Sequence, residues 1–334
     1  MRVLLIGGTG LISTGIVKHL QARGADITCF NRGQRENRIG ETIRQLHGDR
    51  GVAGTLAKTF EKDTFDVVID MVCFGPEVAA DSIAAFAGKC KQYIFCSTVC
   101  AYGVKVPAGV LVDETFPMEP ISGYGQNKLA CEKLFMAAND QKKFAATIIR
   151  PSCTYGPGNA LIDNLEGDAV TWDRVSHDLP VLCAGDGLGL WVATHRDDVG
   201  KAFAYAAMNP KTFGQSYNAT RDENFTWRDF YREAAQAMGK KAKVLFMPAA
   251  WLIKADPKRF GLLREITQFH GAYSSEKAKR DIPEFRCEIN FVTGAKSALD
   301  DIRRRGKWRD GVTDALYNKM VAEALKLGVE PIEL

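Results

Sequence analysis

A chain of 334 residues, 46% hydrophobic and 25% charged, can bury a large core and has length for one large domain or two ordinary ones, which excludes disordered and collagen-like classes. Its net charge of +4 is too small for this length to demand a nucleic-acid partner. No leader-like segment and no apolar run of bilayer length is present, so the expectation is a soluble, cytoplasmic protein with no membrane partner.

In chain order, short apolar runs rich in β-formers appear at VLLIG (3–7), ADITCFN (25–31), a short segment at 45–48, DVVIDMV (66–72), QYIFCS (92–97) and AATIIR (145–150). Between them, segments such as 15–23 and 78–89 repeat their apolar residues at helical spacing. Unbroken apolar strands alternating with helices predict an α/β fold, a Rossmann-type doubly wound parallel sheet covered on both faces. The pattern loosens after Gly156. Residues 1–156 are therefore read as a dinucleotide-binding domain, with 186–220 returning to it. A smaller substrate-binding lobe is expected from 157–185 and 221–334, with the cleft between lobe and strand ends.

The run VLLIGGTGLISTG (3–15) places a glycine cluster directly after the first strand and at the start of a helix, the context in which such a cluster cradles a pyrophosphate. The early glycines make the turn and let backbone approach phosphate, whereas the last position serves helix–strand packing. Ser13 stands at that last position, where a small side chain that bonds locally is compatible with the motif, and Gly15 keeps the first helical turn slim. After the second strand an NAD site normally carries an acid for the ribose hydroxyls. Here stand Asn31, Arg32, Gly33 and Arg35, and a guanidinium suits a 2′-phosphate, so NADP is favoured with NAD as the alternative. Asp49 in HGDR is positioned to meet the adenine amino group.

Tyr124 and Lys128 lie four residues apart on one face of an expected helix. An ammonium beside a phenol, together with a cationic nicotinamide, favours phenolate and makes a general acid/base pair. About 25 residues earlier, YIFCSTVCAYG (93–103) is a buried strand ending in hydroxyls. Nine cysteines without a CxxC pair read as reduced core thiols, with no metal site expected. The run Arg303, Arg304, Arg305, Lys307 reads as a solvated helix end.

These segments, with DETFPMEP before YGQNK, RPSCTYGPG (150–158), THRDDVGKAF (194–203), GQSYNATRDENFTWRDF (214–230), SSEKAKRDIPEF and RGKW, resemble the extended short-chain dehydrogenase/reductases, the NAD(P)-dependent epimerase/dehydratase family. The resemblance implies an NAD(P)-dependent epimerase or dehydrogenase/reductase acting by hydride transfer at a carbinol carbon of a sugar, sugar derivative or nucleotide sugar. It implies Thr98 as the hydroxyl that bonds the substrate oxygen, Tyr124 as acid/base, and Lys128 as the residue that lowers the tyrosine pKa and holds the nicotinamide ribose. The expected cofactor contacts are Gly7, Thr9, Gly10, Leu11, Ile12, Asn31, Arg32, Asp49, Met71, Tyr124, Lys128 and Pro151; the expected substrate contacts are Cys73, Thr98, Cys153 and Trp191. A homodimer through the helices around 78–89 and 124–138 is implied as well.

Departures from the family pattern narrow the chemistry. Sugar dehydratases carry an Asp–Glu pair after the threonine; Val99 and Cys100 stand there, so elimination of water is not expected. Cys153 replaces a common asparagine, and Trp191 replaces the arginine that grips a nucleotide diphosphate. Trp191 is expected either to stack on a bare sugar or other hydrophobic ring or to fill the core of the second lobe. His195 is read as structural and Asp198 as a helix cap. Relatives that bind chloroplast stem-loop RNA have similar NRG and GDR segments, which gives an RNA-binding alternative; with the acid/base set intact, an enzyme with a carbohydrate-like small-molecule substrate is the expectation.

Overall fold

A computed structural model describes residues 1–334 apart from Arg35, Glu41, Ala108 and Ala160. Arg35, named above beside Arg32, thus lies outside the described residues. The first half alternates β1 (Arg2–Ile6), α1 (Leu11–Ala22), β2 (Asp26–Asn31), β3 (Arg44–His47), α2 (Thr55–Thr59), β4 (Phe65–Asp70), α3 (Pro76–Phe86), β5 (Cys90–Cys96), α4 (Gly123–Asp140) and β6 (Ala145–Pro151). The chain continues through β7 (Cys153–Tyr155), α5 (Val170–Ser176), β8 (Val181–Ala184), β9 (Leu190–Trp191), β10 (Ala193–His195), α6 (Arg196–Ala206) and β11 (Gln215–Ala219). It ends with β12 (Phe225–Thr226), α7 (Trp227–Ala237), β13 (Lys243–Met247), α8 (Ala249–Ala255), α9 (Glu276–Asp281), α10 (Phe291–Arg304), α11 (Ala315–Lys326) and β14 (Ile332–Glu333).

The central sheet has seven parallel strands in the order β11-β6-β5-β4-β1-β2-β3, the doubly wound arrangement read from the alternating pattern. Because successive strand residues face opposite sides, β1 sends Val3 and Leu5 into one core with α1 and α6, and Leu4 and Ile6 into another with α3 and α4. The order reverses between β1 and β4, so a crevice of the kind in which open α/β sheets bind ligands opens at their carboxyl ends. A further core gathers Trp172, Trp227, Phe230, Tyr231 and Phe291 beside the three-stranded sheet β14-β13-β8. Among the described residues no helix is long and apolar enough to cross a membrane.

Two glycines explain how α1 tolerates Ser13. A Cβ on Gly15 would collide with the Arg196 carbonyl oxygen, and one on Gly200 would stand 2.7 Å from the Ile16 nitrogen. The close approach therefore occurs between α1 and α6, two residues beyond the motif's last position. Ser13 itself is buried and donates its hydroxyl to the Gly7 carbonyl at 2.8 Å, bracing the turn from inside.

Two buried ion pairs tie helices and loops to the sheet. Arg50 meets both oxygens of Asp70 at 2.5 and 2.6 Å, and Asp70 also accepts the Tyr93 hydroxyl at 2.6 Å. Arg150 on β6 donates to Glu132 on α4 at 2.9 and 2.6 Å and to the Tyr102 hydroxyl at 2.8 Å. Removing one member of such a pair strands its partner's charge, at a cost of about 3–5 kcal/mol. The second pair fixes α4, the helix carrying Tyr124 and Lys128, against the sheet.

All nine cysteines are free thiols, six of them buried. In the basic run Arg303, Arg304 and Lys307 are exposed at the end of α10, as a solvated helix end is, and only Arg305 turns inward. Arg303 lies 4.3 Å over the Trp308 ring, Arg304 pairs with Asp301, and Arg305 donates to the Gly158 carbonyl at 3.1 Å. Asp198 does not cap α6: it lies inside the first turn, where its carboxylate accepts from the Ile289 amide at 3.1 Å. The cap is His195, whose Nδ1 accepts from the Asp197 amide at 3.2 Å, so its imidazole has a structural task.

Candidate active site

A groove of about 770 Å³ opens at the carboxyl ends of β1 and β4. The first turn of α1 forms its floor. Gly10 at the helix start supplies no side-chain cap and the first turn holds no acidic residue, so the leading amides are available to an anion. Gly7 has φ +87°, a conformation open to glycine, and a Cβ there would press to 2.6 Å from Val72. Gly7, Thr9, Gly10, Leu11, Ile12, Asn31, Arg32, Asp49, Met71, Tyr124 and Lys128 all line this groove. It is long, glycine-floored and open at a helix N-terminus, which fits a dinucleotide.

Asn31 is held in place by its neighbours: its Oδ1 accepts from the Gly33 amide at 2.7 Å, and its Nδ2 donates to Gln45 at 3.3 Å. Arg32 is exposed on the rim and hydrogen-bonds to no other described residue, which leaves its forked donors to a ligand. Asp49, also exposed, accepts from the Gly51 amide at 2.8 Å.

A second cavity of about 270 Å³ lies beyond Tyr124. Thr98, Cys153 and Trp191 line it together with Val99, Cys100, Ile121, Tyr273 and residues of the 262–271 segment. Tyr124 lines both spaces. It is set there by the start of α4: Ser122 caps the helix by accepting from the Gly125 amide at 3.1 Å. A Cβ on Gly125 would stand 2.6 Å from the Cys100 carbonyl, so glycine lets the helix close onto the turn after Thr98. Thr98 in turn accepts from the Cys100 amide at 3.2 Å, which leaves its hydroxyl proton for a ligand.

Lys128 is buried and donates to the Cys73 and Cys96 carbonyls at 2.9 and 2.8 Å. Two of its three N–H groups are so engaged, and the third is left to the groove it lines. The ammonium also sits 4.6 Å from the Phe74 ring centre, 4.9 Å from that of Phe95 and 5.8 Å from that of Tyr124. The protein alone does not bring about the expected fall in the Tyr124 pKa. Although the residue as a whole is half-exposed, loss of water around its hydroxyl raises the phenol above its ordinary value, the Cys96 and Cys100 thiols add to this, and the Thr98 hydroxyl opposes it.

Two expected contacts lie elsewhere. The Cys73 side chain is wholly buried, with its thiol 3.8 Å from that of Cys131, and lines neither cavity; only its carbonyl serves the site, by holding Lys128. Pro151 is buried at the end of β6, paired with Ala219, and lines neither cavity. Trp191 stacks on Trp227 at 4.8 Å, as a core tryptophan of the second lobe does, and it also lines the smaller cavity. Sequence reasoning missed Phe74, half-exposed beside Tyr124, and Arg50 in the groove wall with its buried partner Asp70 behind it. It also missed the wall built by 262–271, whose apolar spacing was readable but lay in the less regular half. Among the described residues no cluster of metal-ligating side chains occurs.

The chain is 28% identical over 252 residues to 2′-dehydrokanamycin reductase of Streptomyces kanamyceticus, spanning 75% of this chain and 70% of that protein. It is 25% identical over 347 residues to the chloroplast stem-loop binding protein of 41 kDa b of Arabidopsis thaliana, spanning 96% and 86%. In fold it resembles the UDP-glucose 4-epimerase of Thermus thermophilus in complex with NAD, with TM-score 0.71 and 23% identity, covering 91% of this chain and 99% of that one. Residues 3–220 match the family pattern itself, and the chain belongs to the NAD dependent epimerase/dehydratase family.

Proposed function

We propose that this protein is an NAD(P)-dependent epimerase or reductase acting at a carbinol carbon of a sugar or sugar derivative, with NADP preferred through Arg32. The observation that carries this is the position of Tyr124 on the boundary between a dinucleotide-shaped groove and a ligand-sized cavity, with Thr98 on one side and Lys128 on the other. The nicotinamide, when bound, supplies the hydride acceptor or donor. Thr98 holds the substrate oxygen and orients its proton toward Tyr124. The Tyr124 phenolate takes that proton as the carbinol becomes a ketone, and the phenol returns it in reverse. Lys128 places a positive charge beside the ring and offers its remaining N–H to the ribose. Neither Val99 nor Cys100 carries a carboxyl to protonate a departing hydroxyl, which favours epimerisation or net redox over elimination.

The smaller lobe, 157–185 and 221–334, closes the substrate side in this reading, and the protein acts in the cytoplasm as a homodimer paired through α3 and α4. Tyr124→Phe tests the chemistry. It keeps the ring while removing the proton carrier, so nucleotide binding persists and turnover falls by roughly 10²–10⁴-fold. Turnover at the wild-type level would refute the mechanism, and salt-dependent retention on stem-loop RNA would then favour the binding function named for the Arabidopsis relative.

A further inference from the structure

The outer wall of the smaller cavity is built by one segment. Leu262, Glu265 and Ile266 line it from a short helical turn, and Phe269 and His270 from the residues that follow, a largely apolar row on the cavity side. Such a stripe ordinarily packs against a core; here it fronts open space. Its turn Leu263–Thr267 is π-helical, a rare form that recurs at functional sites. The turn is pinned from behind. The Thr267 carbonyl accepts from Trp227 Nε1 at 3.1 Å, and the Thr267 hydroxyl donates to the Asn164 carbonyl at 2.5 Å.

The polar groups on this face have a definite character. Among the described residues lining the cavity there is no lysine or arginine, and Glu265 is the one carboxylate. Glu265 Oε1 accepts from Arg264 at 2.7 Å, but both side chains are about half exposed, and such surface pairs yield readily to a competing cation. The His270 Nδ1 accepts from the Leu190 amide at 3.4 Å, so Nε2 carries the ring proton. That Nε2 is buried and has no partner among the described residues. A buried donor without an acceptor is costly; Nε2 has almost no accessible surface as it stands, so a ligand oxygen reaches it and removes the cost only when the ring turns toward the cavity that His270 lines.

We propose that Glu265 and His270 are specificity-determining residues for an unphosphorylated sugar or cyclitol ring bearing an ammonium group. Glu265 takes the ammonium, His270 Nε2 donates to a ring oxygen, and the aromatic face of Trp191 covers the ring. A nucleotide diphosphate would bring its negative charges beside a carboxylate in a cavity whose described lining holds no lysine or arginine, since Arg264, which pairs with Glu265, lies outside that lining. The proposal rests on the hydride-transfer reading of the same site.

The test is calorimetric binding to the 334-residue chain saturated with NADP, with glucosamine, 2-deoxystreptamine, glucose and UDP-glucose as probes at low salt. The amino-bearing rings bind at least about tenfold more tightly than glucose, and Glu265→Gln loses that tenfold, the scale of one charge-assisted hydrogen bond. Glu265→Asp restores part of it, and His270→Phe weakens the same probes. Amino rings that bind no better than glucose, that fail to bind, or that bind more weakly than UDP-glucose overturn the proposal. The hydride-transfer reading fails separately, through wild-type turnover in Tyr124→Phe.

Discussion

Lys128 holds the Cys96 carbonyl at 2.8 Å, at the point where β5 ends and the chain turns toward Thr98. The same ammonium reaches Cys73 after β4, so one side chain from α4 ties together the ends of two adjacent strands. It therefore serves as both a charge beside Tyr124 and a clamp on the groove.

Lys128→Met separates these tasks from simple packing. Two buried carbonyls lose their donor, each costing about 1–3 kcal/mol, so the variant melts at lower temperature and holds nucleotide more weakly. The phenol, already pushed up by loss of water around its hydroxyl, also loses its neighbouring cation, and the acidic limb of the turnover profile moves to higher pH. A pH–rate profile of the surviving activity checks this; an unmoved limb would show that Lys128 acts only as a clamp.

Arg32→Ala addresses the cofactor. The side chain is exposed and serves no other described residue, so its loss leaves stability unchanged. If it grips a 2′-phosphate, NADP affinity falls by roughly 1.5–3 kcal/mol and NAD affinity hardly at all. Titration calorimetry with both nucleotides measures the difference, and equal losses would reject the NADP preference.

Gly200→Ala tests the helix crossing that compensates for Ser13. A methyl group in an open helix would gain about 1 kcal/mol of helix propensity. Here it would stand 2.7 Å from the Ile16 nitrogen, and backbone cannot rotate away as a side chain can. Overpacking of about 1–3 kcal/mol outweighs the gain, and α1, which carries the glycine turn of the groove, is displaced. Denaturant unfolding should show a net loss, accompanied by weaker nucleotide binding; a stabilised variant would contradict the crossing.

What was legible in the sequence follows from range. Strands β1, β2, β4, β5 and β6 announced themselves because each is a short, mostly apolar run, whereas β3 (RQLH) and β11 (QSYNA) are largely polar and β11 carried no such signal; Tyr124 and Lys128 share a face by simple helical spacing. Interactions that depend on where distant segments meet were not legible. Arg50 meets Asp70, and Glu132 meets Arg150, only after the strand order is set. Cys73 is adjacent to a groove residue in sequence, yet the backbone turns its thiol toward Cys131. At α6 the local signal pointed to an aspartate cap, while burial under the Ile289 amide claimed Asp198 and left His195 to cap. The π-helical turn leaves no composition signature, since its register is decided by the anchors on Thr267.

Asp163 gives the protein a pH-dependent stability. Its carboxyl is fully buried, and burial, with the negative charge of Glu166 nearby, raises its pKa to about 7, although it accepts from the Leu165 and Glu166 amides at 2.7 Å. An unfolded aspartate titrates near 3.9. Between these values the folded chain binds more protons than the unfolded one, so stability is full below about pH 4 for this group and falls as pH rises toward 7. A shift of about three units corresponds to at most about 4 kcal/mol. Asp163→Asn keeps an oxygen for both amides and cannot ionise. It should therefore be more stable than wild type at pH 8, by about 1–4 kcal/mol, and show little difference at pH 4. Urea unfolding across this range would show it; a variant whose pH dependence parallels that of wild type would place the titration on another group.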